Sequence, residues 1–155
     1  MTTSIDPTKI DLIREIASAD HGWAVLATAR QDDTIQASVV NAGLAEHPLS
    51  GETMVALVAR GDAVKLRTMR RTSRATIVFR HGPRWVTVEG SVSLIGPDDP
   101  ADGFDQAKLP KLLRDVFTAI GGTHDDWETY DRVMAEQRRA AVFIEIERVY
   151  TNPGR

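Results

Sequence analysis

Arg84-Trp85-Val86-Thr87-Val88-Glu89-Gly90-Ser91-Val92-Ser93-Leu94-Ile95 is the stretch whose reading decides the fold. Val86, Val88, Gly90, Val92 and Leu94 alternate with Trp85, Thr87, Glu89, Ser91 and Ser93. A period of two held this long marks a strand with one buried face and one polar face. His81-Gly82-Pro83 in front of it is a turn, and the apolar run 75–80 before that turn is a second strand, so the pair forms a hairpin.

Upstream, residues 23–29 form a short apolar strand between turn signals. Gln31-Asp32-Asp33 turns the chain into another strand over 35–41. A loop at 47–51 follows, then a strand over 53–59. Residues 6–19 read as a helix: Asp6 is placed to cap it, Pro7 suits its first position, and Ile10, Ile13, Ile16 and Ala17 share one stripe. Gly61-Asp62 opens a short helix over 63–71, with Asp62 as its expected cap. Downstream, Pro97 and Pro100 mark a break over 96–103. Two helices, 110–120 and 125–138, are separated by Gly121-Gly122, and a last strand runs over 142–149. Strands joined by hairpins dominate, and helices do not alternate with them. The expected fold is mainly β (α+β), an antiparallel barrel with helices at its flanks rather than a doubly wound parallel sheet.

Chain length and composition fit one globular domain over 1–155, with 42% hydrophobic and 26% charged residues. There is no cysteine, which excludes disulfides, thiol catalysis and cysteine-ligated metals and fits a reducing compartment. The N-terminal twenty residues are polar and acidic, unlike a secretory signal, and the apolar run 23–27 is too short to span a bilayer. A cytoplasmic protein without membrane contact is expected. His21, His47, His81 and His124 stand apart near turns, at no metal-ligand spacing, so no metal site is expected. Neither a nucleophile elbow nor a glycine-rich phosphate loop is present.

The net charge of −3 hides an asymmetry. Eight of the 19 basic residues lie between Arg60 and Arg84 with one acid, Asp62, leaving eleven basic residues against twenty-one acids elsewhere. Such a patch on an acidic chain points to a small anionic ligand more than to nucleic acid. Within it, Lys65 stands in the first turn of the short helix, where the dipole favours an acid, and free N–H groups at a helix start favour an anion. Arg70 and Arg71 fall in the last turn, where the dipole alone accounts for them. Trp85 sits on the polar face of the long strand, where it can stack on a planar ring or bury itself against protein. Gln36 and Ser38 share one strand face by parity, placed either for ring heteroatoms or as ordinary outward polar residues.

Several segments in order resemble the pyridoxamine-phosphate-oxidase-like, FMN-binding type of split barrel, and within it the branch that uses the deazaflavin coenzyme F420. They are Gly22-Trp-Ala-Val-Leu-Ala-Thr-Ala-Arg30, Gln36-Ala-Ser38, Lys65-Leu-Arg-Thr-Met-Arg-Arg71, Arg74-Ala-Thr, Trp85-Val-Thr-Val-Glu-Gly90, Arg138-Arg139 and Ile146-Glu-Arg-Val-Tyr150. Gly121-Gly-Thr-His124-Asp-Asp-Trp127-Glu-Thr-Tyr130 resembles that branch's helical insert. The resemblance implies a six-stranded antiparallel split barrel, a homodimer, and a cofactor in each of two clefts between subunits. It matches Lys65 to the lysine that holds the cofactor phosphate, the strand of Gln36 and Ser38 to the edge along the ring, and Trp85 to an aromatic beside the ring. Ala63 stands where some relatives carry an arginine, which leaves the phosphate to Lys65 and Arg60.

The expected activity is hydride transfer between reduced F420 and a conjugated small organic acceptor. An FMN-dependent oxidase or reductase and a non-catalytic F420-binding protein are the alternatives. In hydride transfer the cofactor supplies the reacting carbon and the protein supplies position and shielding, so no catalytic residue is assigned. The cofactor-binding set read from the sequence is Gln36, Ser38, Arg60, Lys65, Arg70, Arg71 and Trp85, with Arg67 also in the patch expected to receive a polyanionic tail.

Overall fold

Two 12-residue strands, β2 (Ile35–Glu46) and β5 (Arg84–Ile95), make the barrel by each belonging to two sheets. In the computed structural model, which describes residues 5–152, positions 35–41 of β2 pair with β1 (Trp23–Ala29) and 42–46 with β3 (Thr53–Ala59). Likewise 84–91 of β5 pair with β4 (Arg74–His81), and 92–95 with β6 (Ala140–Ile144). The β1–β4 and β3–β6 ladders close the ring, giving a six-stranded antiparallel barrel. A seventh strand, β7 (Arg148–Thr151), pairs with the free edge of β5 over Val86–Glu89.

The helices are α1 (Pro7–Ala19), α2 (Val64–Thr72), α3 (Leu109–Ala119, entered through a 3-10 turn, Gln106–Lys108) and α4 (Trp127–Glu136). Asp6 caps α1 as expected, accepting from the Thr8 N–H at 2.9 Å.

Three sequence readings are corrected. The strand placed at 35–41 runs on to Glu46, because the chain needs the extra residues to turn from one sheet into the next. The strand placed at 142–149 is two strands. Residues 145–147 leave the ladder, with the Glu145 N–H on Ser91 O (2.9 Å) and the Glu147 N–H on Glu89 O (3.1 Å). Gly90 lies opposite this break, where a Cβ would overlap the Glu145 carbonyl. The short helix starts at Val64 rather than at residue 63, and Asp62 does not cap it.

Alternation fills the barrel. Leu26, Ile77, Phe79, Val88, Val142 and Ile144 are fully or almost fully buried in one cluster, with Ile13 and Ile16 of α1 and Leu66 and Met69 of α2 packed into it. β6 is buried on both faces. Its Val142 and Ile144 belong to the barrel core, while Ala141 and Phe143 pack with Leu112, Leu113 and Val116 of α3 and Tyr130 of α4 in a second cluster. The α3–α4 pair therefore lies flat on the outside of β3 and β6, at the edge of the barrel where α2 begins.

Candidate functional site

The chain leaves β3 at Ala59 and turns through residues 60–63 into α2. Asp62 pairs with Arg60 (Nε to Oδ1, 3.3 Å) instead of reaching the helix, and the N-cap position falls to Ala63, which has no side-chain acceptor. The first turn of α2 thus carries no side-chain cap and no acid, and Lys65 stands in it. A helix start in this state has unmatched positive dipole and N–H groups.

A second segment meets this turn. After α4 the chain doubles back through residues 137–139, and the Gly61 N–H donates to Gln137 O at 3.0 Å. A Cβ on Gly61 would stand 2.6 Å from the Arg138 carbonyl oxygen, so only glycine allows the approach. The contact brings Arg139 beside Arg60. Arg139 is half-buried and donates to neutral acceptors, Gln137 Oε1 (2.8 Å) and Val58 O (3.5 Å). Burial, and then the like charge of Arg60, hold its guanidinium pKa below the ordinary arginine value.

Arg60, Lys65 and Arg139 line one cavity of about 420 Å³. Trp23 and Val39 of β1 and β2, Phe117 and Ile120 at the end of α3, and Tyr130 and Met134 of α4 form its apolar walls. Among the described residues that line it there is no carboxylate and no imidazole. Tyr130 donates its hydroxyl to Leu113 O (3.1 Å), and burial pushes its pKa up to about 12, so it is a neutral wall rather than a proton donor. It packs with Phe117, His124 and Trp127 at ring-centre distances of 5.1–5.6 Å, which stiffens that wall. One end of the cavity is therefore cationic and the rest broad and apolar, the layout that suits a planar ring carrying a phosphate.

The other sequence-assigned residues lie elsewhere. Arg70 and Arg71 follow Lys65 by five and six positions, about 140° and 240° round the helix, so they face other partners. Arg70 gives both Nε and Nη2 to Asp99 (2.8 and 2.7 Å), and Arg71 donates to Ala29 O (2.7 Å). Neither lines the cavity, and structural pairing accounts for both. Gln36 and Ser38 are not among its residues, although Val40, of the same parity on β2, is. Gln36 Oε1 accepts from the buried Thr28 hydroxyl (3.3 Å), and Ser38 Oγ is buried without a hydrogen-bond partner. Trp85 packs edge-on against Tyr150, ring centres 6.2 Å apart, also outside the cavity. Arg139 is absent from the set read from the sequence, because no local rule marks an arginine at a strand entry as a ligand.

Among the described residues no cluster of three or more His, Cys, Asp or Glu is placed to hold a metal, and no helix is long and apolar enough to cross a membrane.

No protein-family model and no curated protein matches the chain. Solved structures do. A pyridoxamine 5'-phosphate oxidase-related, FMN-binding protein from Nostoc punctiforme aligns with TM-score 0.60 at 13% identity, over 94% of this chain and 80% of its own. An F420 reductase aligns with TM-score 0.56 at 14% identity, over 83% and 88%. A heme-binding protein from Mycobacterium smegmatis aligns with TM-score 0.63 at 19% identity, over 97% of this chain and 56% of its own. The fold is thus that of the pyridoxamine-phosphate-oxidase-like split barrels, as the sequence led us to expect.

Proposed function

We propose that this cavity holds a phosphate-bearing flavin-type cofactor, with F420 as the first choice and FMN as the second, and that the protein is an oxidoreductase. The observation that carries the reading is the convergence of Arg60, Lys65 and Arg139 with the uncapped start of α2 on one acid-free cavity. Like charges gathered in a partly buried place oppose one another, and a bound phosphate relieves that repulsion. The apolar walls receive the ring and keep water from it. Bound there in reduced form, the deazaflavin would supply a hydride to a conjugated organic acceptor, whose second hydrogen arrives from water as a proton. The residues of the chain bind, orient and shield.

A homodimer belongs to the same reading. Val25 and Val39 are cross-strand partners on the outside of β1 and β2, with 43% and 67% of their surface exposed. Trp23 and Ile35 on the same two strands are also more than half exposed. This apolar face runs into the cavity at Trp23 and Val39, so a second copy seated on it would also wall the cofactor site.

Titration of the purified protein with F420 and with FMN, followed by fluorescence, tests the cofactor. Binding of either supports the site, and tighter binding of FMN moves the assignment to the alternative. Binding of neither overturns the reading. Turnover of an acceptor by the loaded protein separates an enzyme from a cofactor carrier.

A further inference from the structure

A second cavity, of about 340 Å³, lies beside the first and shares two of its wall residues, Asn41 and Ile120. Its walls come from the ends of α1 and α3 and the middle of β2. The hollows near Thr28 and near His47, by contrast, share no residue with the proposed cofactor site.

Its chemistry is one-sided. Arg14 and His21 line it, and among the described residues on its walls there is no Asp or Glu. Arg14 has one acidic partner, the exposed Asp11 at 3.3 Å on its own helix, an ion pair that costs little to give up. Two carbonyls at the helix ends are capped, Ala17 O by the Gly22 N–H (2.8 Å) and Phe117 O by the Gly122 N–H (2.9 Å), and because helix C-termini are themselves electronegative, the attraction for an anion has to come from Arg14 and His21. His21 is held in the left-handed region (φ 57°), and Asn41 Nδ2 donates to its carbonyl at 2.6 Å. That conformation is the left-handed cap that ends α1, with the His21 N–H on Ser18 O (3.4 Å) and the Gly22 N–H on Ala17 O (2.8 Å), and it sets His21 at the cavity wall. The bond to the His21 carbonyl fixes the Asn41 amide in the partition between the two cavities.

From these contacts we infer that the second cavity takes the carboxylate end of a small organic acid, with Arg14 and His21 receiving the carboxylate. That this acid is conjugated and is the hydride acceptor rests on the flavin reading above; that it binds here does not. Its conjugated part would lie toward Asn41 and Ile120, next to the cofactor cavity.

trans-Cinnamate is a suitable probe, with cinnamamide as its uncharged counterpart, read by the backbone amide shifts of Gly22, Gly43, Gly121 and Gly122. Cinnamate should shift these four amides saturably, and cinnamamide should bind at least about tenfold more weakly, because a charge-assisted contact is lost. Arg14→Gln combined with His21→Asn, which keeps a residue tolerant of positive φ, should cut cinnamate affinity by a similar factor. FMN titrated into the same variant should behave as in the parent. If FMN fails to bind the parent while cinnamate moves the four glycines, the flavin reading falls and the acid site stands. Equal binding of cinnamamide, or cinnamate shifts centred on Gly61 and Lys65, overturns the acid site.

Discussion

Asp99 takes Nε and Nη2 of Arg70, at 2.8 and 2.7 Å, and so ties the last turn of α2 to the turn after β5. Its neighbour Asp98 pairs in the same way with Arg138 on the 137–139 turn. The two adjacent acids therefore hold the two segments that deliver Lys65 and Arg139 to the cavity.

This tie yields a prediction whose sign discriminates. Removing a negative charge near a cationic site tightens anion binding by simple electrostatics. Asp99→Asn also frees the end of α2, which lets Lys65 and Arg139 drift apart. Asp99 is mostly buried, so the variant should lose roughly 1–2 kcal/mol of stability, between the values for exposed and fully buried pairs. We expect phosphate and FMN to bind more weakly to the folded variant. Tighter binding in a calorimetric titration would show that Asp99 acts through its charge alone.

Lys65→Ala should weaken cofactor binding about tenfold or more without unfolding the protein, since a hydrogen bond to a charged group is worth roughly 1.5–3 kcal/mol. Arg139→Gln and Arg60→Gln should do the same and should flatten the dependence on salt. Arg71→Gln should lower the melting temperature and leave the affinity of the folded protein nearly alone, because its partner is the Ala29 carbonyl, whereas Arg70→Gln breaks the same tie as Asp99→Asn and should weaken binding along with it. Titrations at two ionic strengths, with circular dichroism as the folding control, separate the two groups.

The limits of the sequence reading follow from the same contacts. The alternation in β5 and the capped start of α1 are local signals, and both hold in the structure. Lys65 stood out because it breaks a local rule at a helix start, and it lines the cavity. Arg139 breaks no such rule. Its place beside Arg60 depends on Gly61 packing against Arg138, a contact across more than seventy residues. Gln36 and Ser38 share one face of β2 by parity, but nothing local says which face of a barrel strand meets a ligand. For the 142–149 segment, the apolar alternation continues through Ile146, which is itself buried, so the break at 145–147 is hidden from pattern alone.

His47 sets a pH dependence. Its Nδ1 accepts from the Leu49 N–H (3.2 Å), so Nε2 carries the proton and donates to Ser93 Oγ (3.1 Å). Burial holds its pKa below the ordinary 6.5. The unfolded chain therefore takes up a proton before the folded one does, and stability that is complete above pH 6.5 declines as pH falls through the lowered folded value. Protonation at Nδ1 also removes the Leu49 bond. The carboxylates with lowered pKa titrate further down, from ordinary values of 3.8 and 4.5. Melting temperature should fall as the pH drops below 6.5 in the parent and much less in His47→Asn. Equal slopes would assign the effect to other groups.

Gly90→Ala should be among the most damaging small substitutions. The added Cβ would overlap the Glu145 carbonyl, where the 145–147 break lies against β5 and backbone meets backbone. Overpacking against atoms that cannot rotate away costs about 3 kcal/mol, and denaturant unfolding should show it. Gly51→Ala is the control: a Cβ there meets nothing within 4 Å, and its positive φ of 74° leaves a backbone cost of roughly 1 kcal/mol.

The dimer is tested at Val39, which is two-thirds exposed, pairs with Val25 across the β1–β2 ladder and lines the cofactor cavity. A charge introduced there would be buried without a partner if a second copy covers this face, and would be solvated at little cost if none does. Sedimentation of the parent at micromolar concentration should give about twice the 17.1 kDa chain mass, and Val39→Asp should shift it to the single-chain value while its circular dichroism stays unchanged. Ile35→Asp, on the same face but outside the cavity, separates assembly from direct contact. If the site needs both copies, Ile35→Asp weakens FMN binding in step with loss of the dimer, and raising protein concentration restores both. A parent that sediments as one chain would remove the second copy from the site and leave the apolar face of Trp23, Val25, Ile35 and Val39 to some other role.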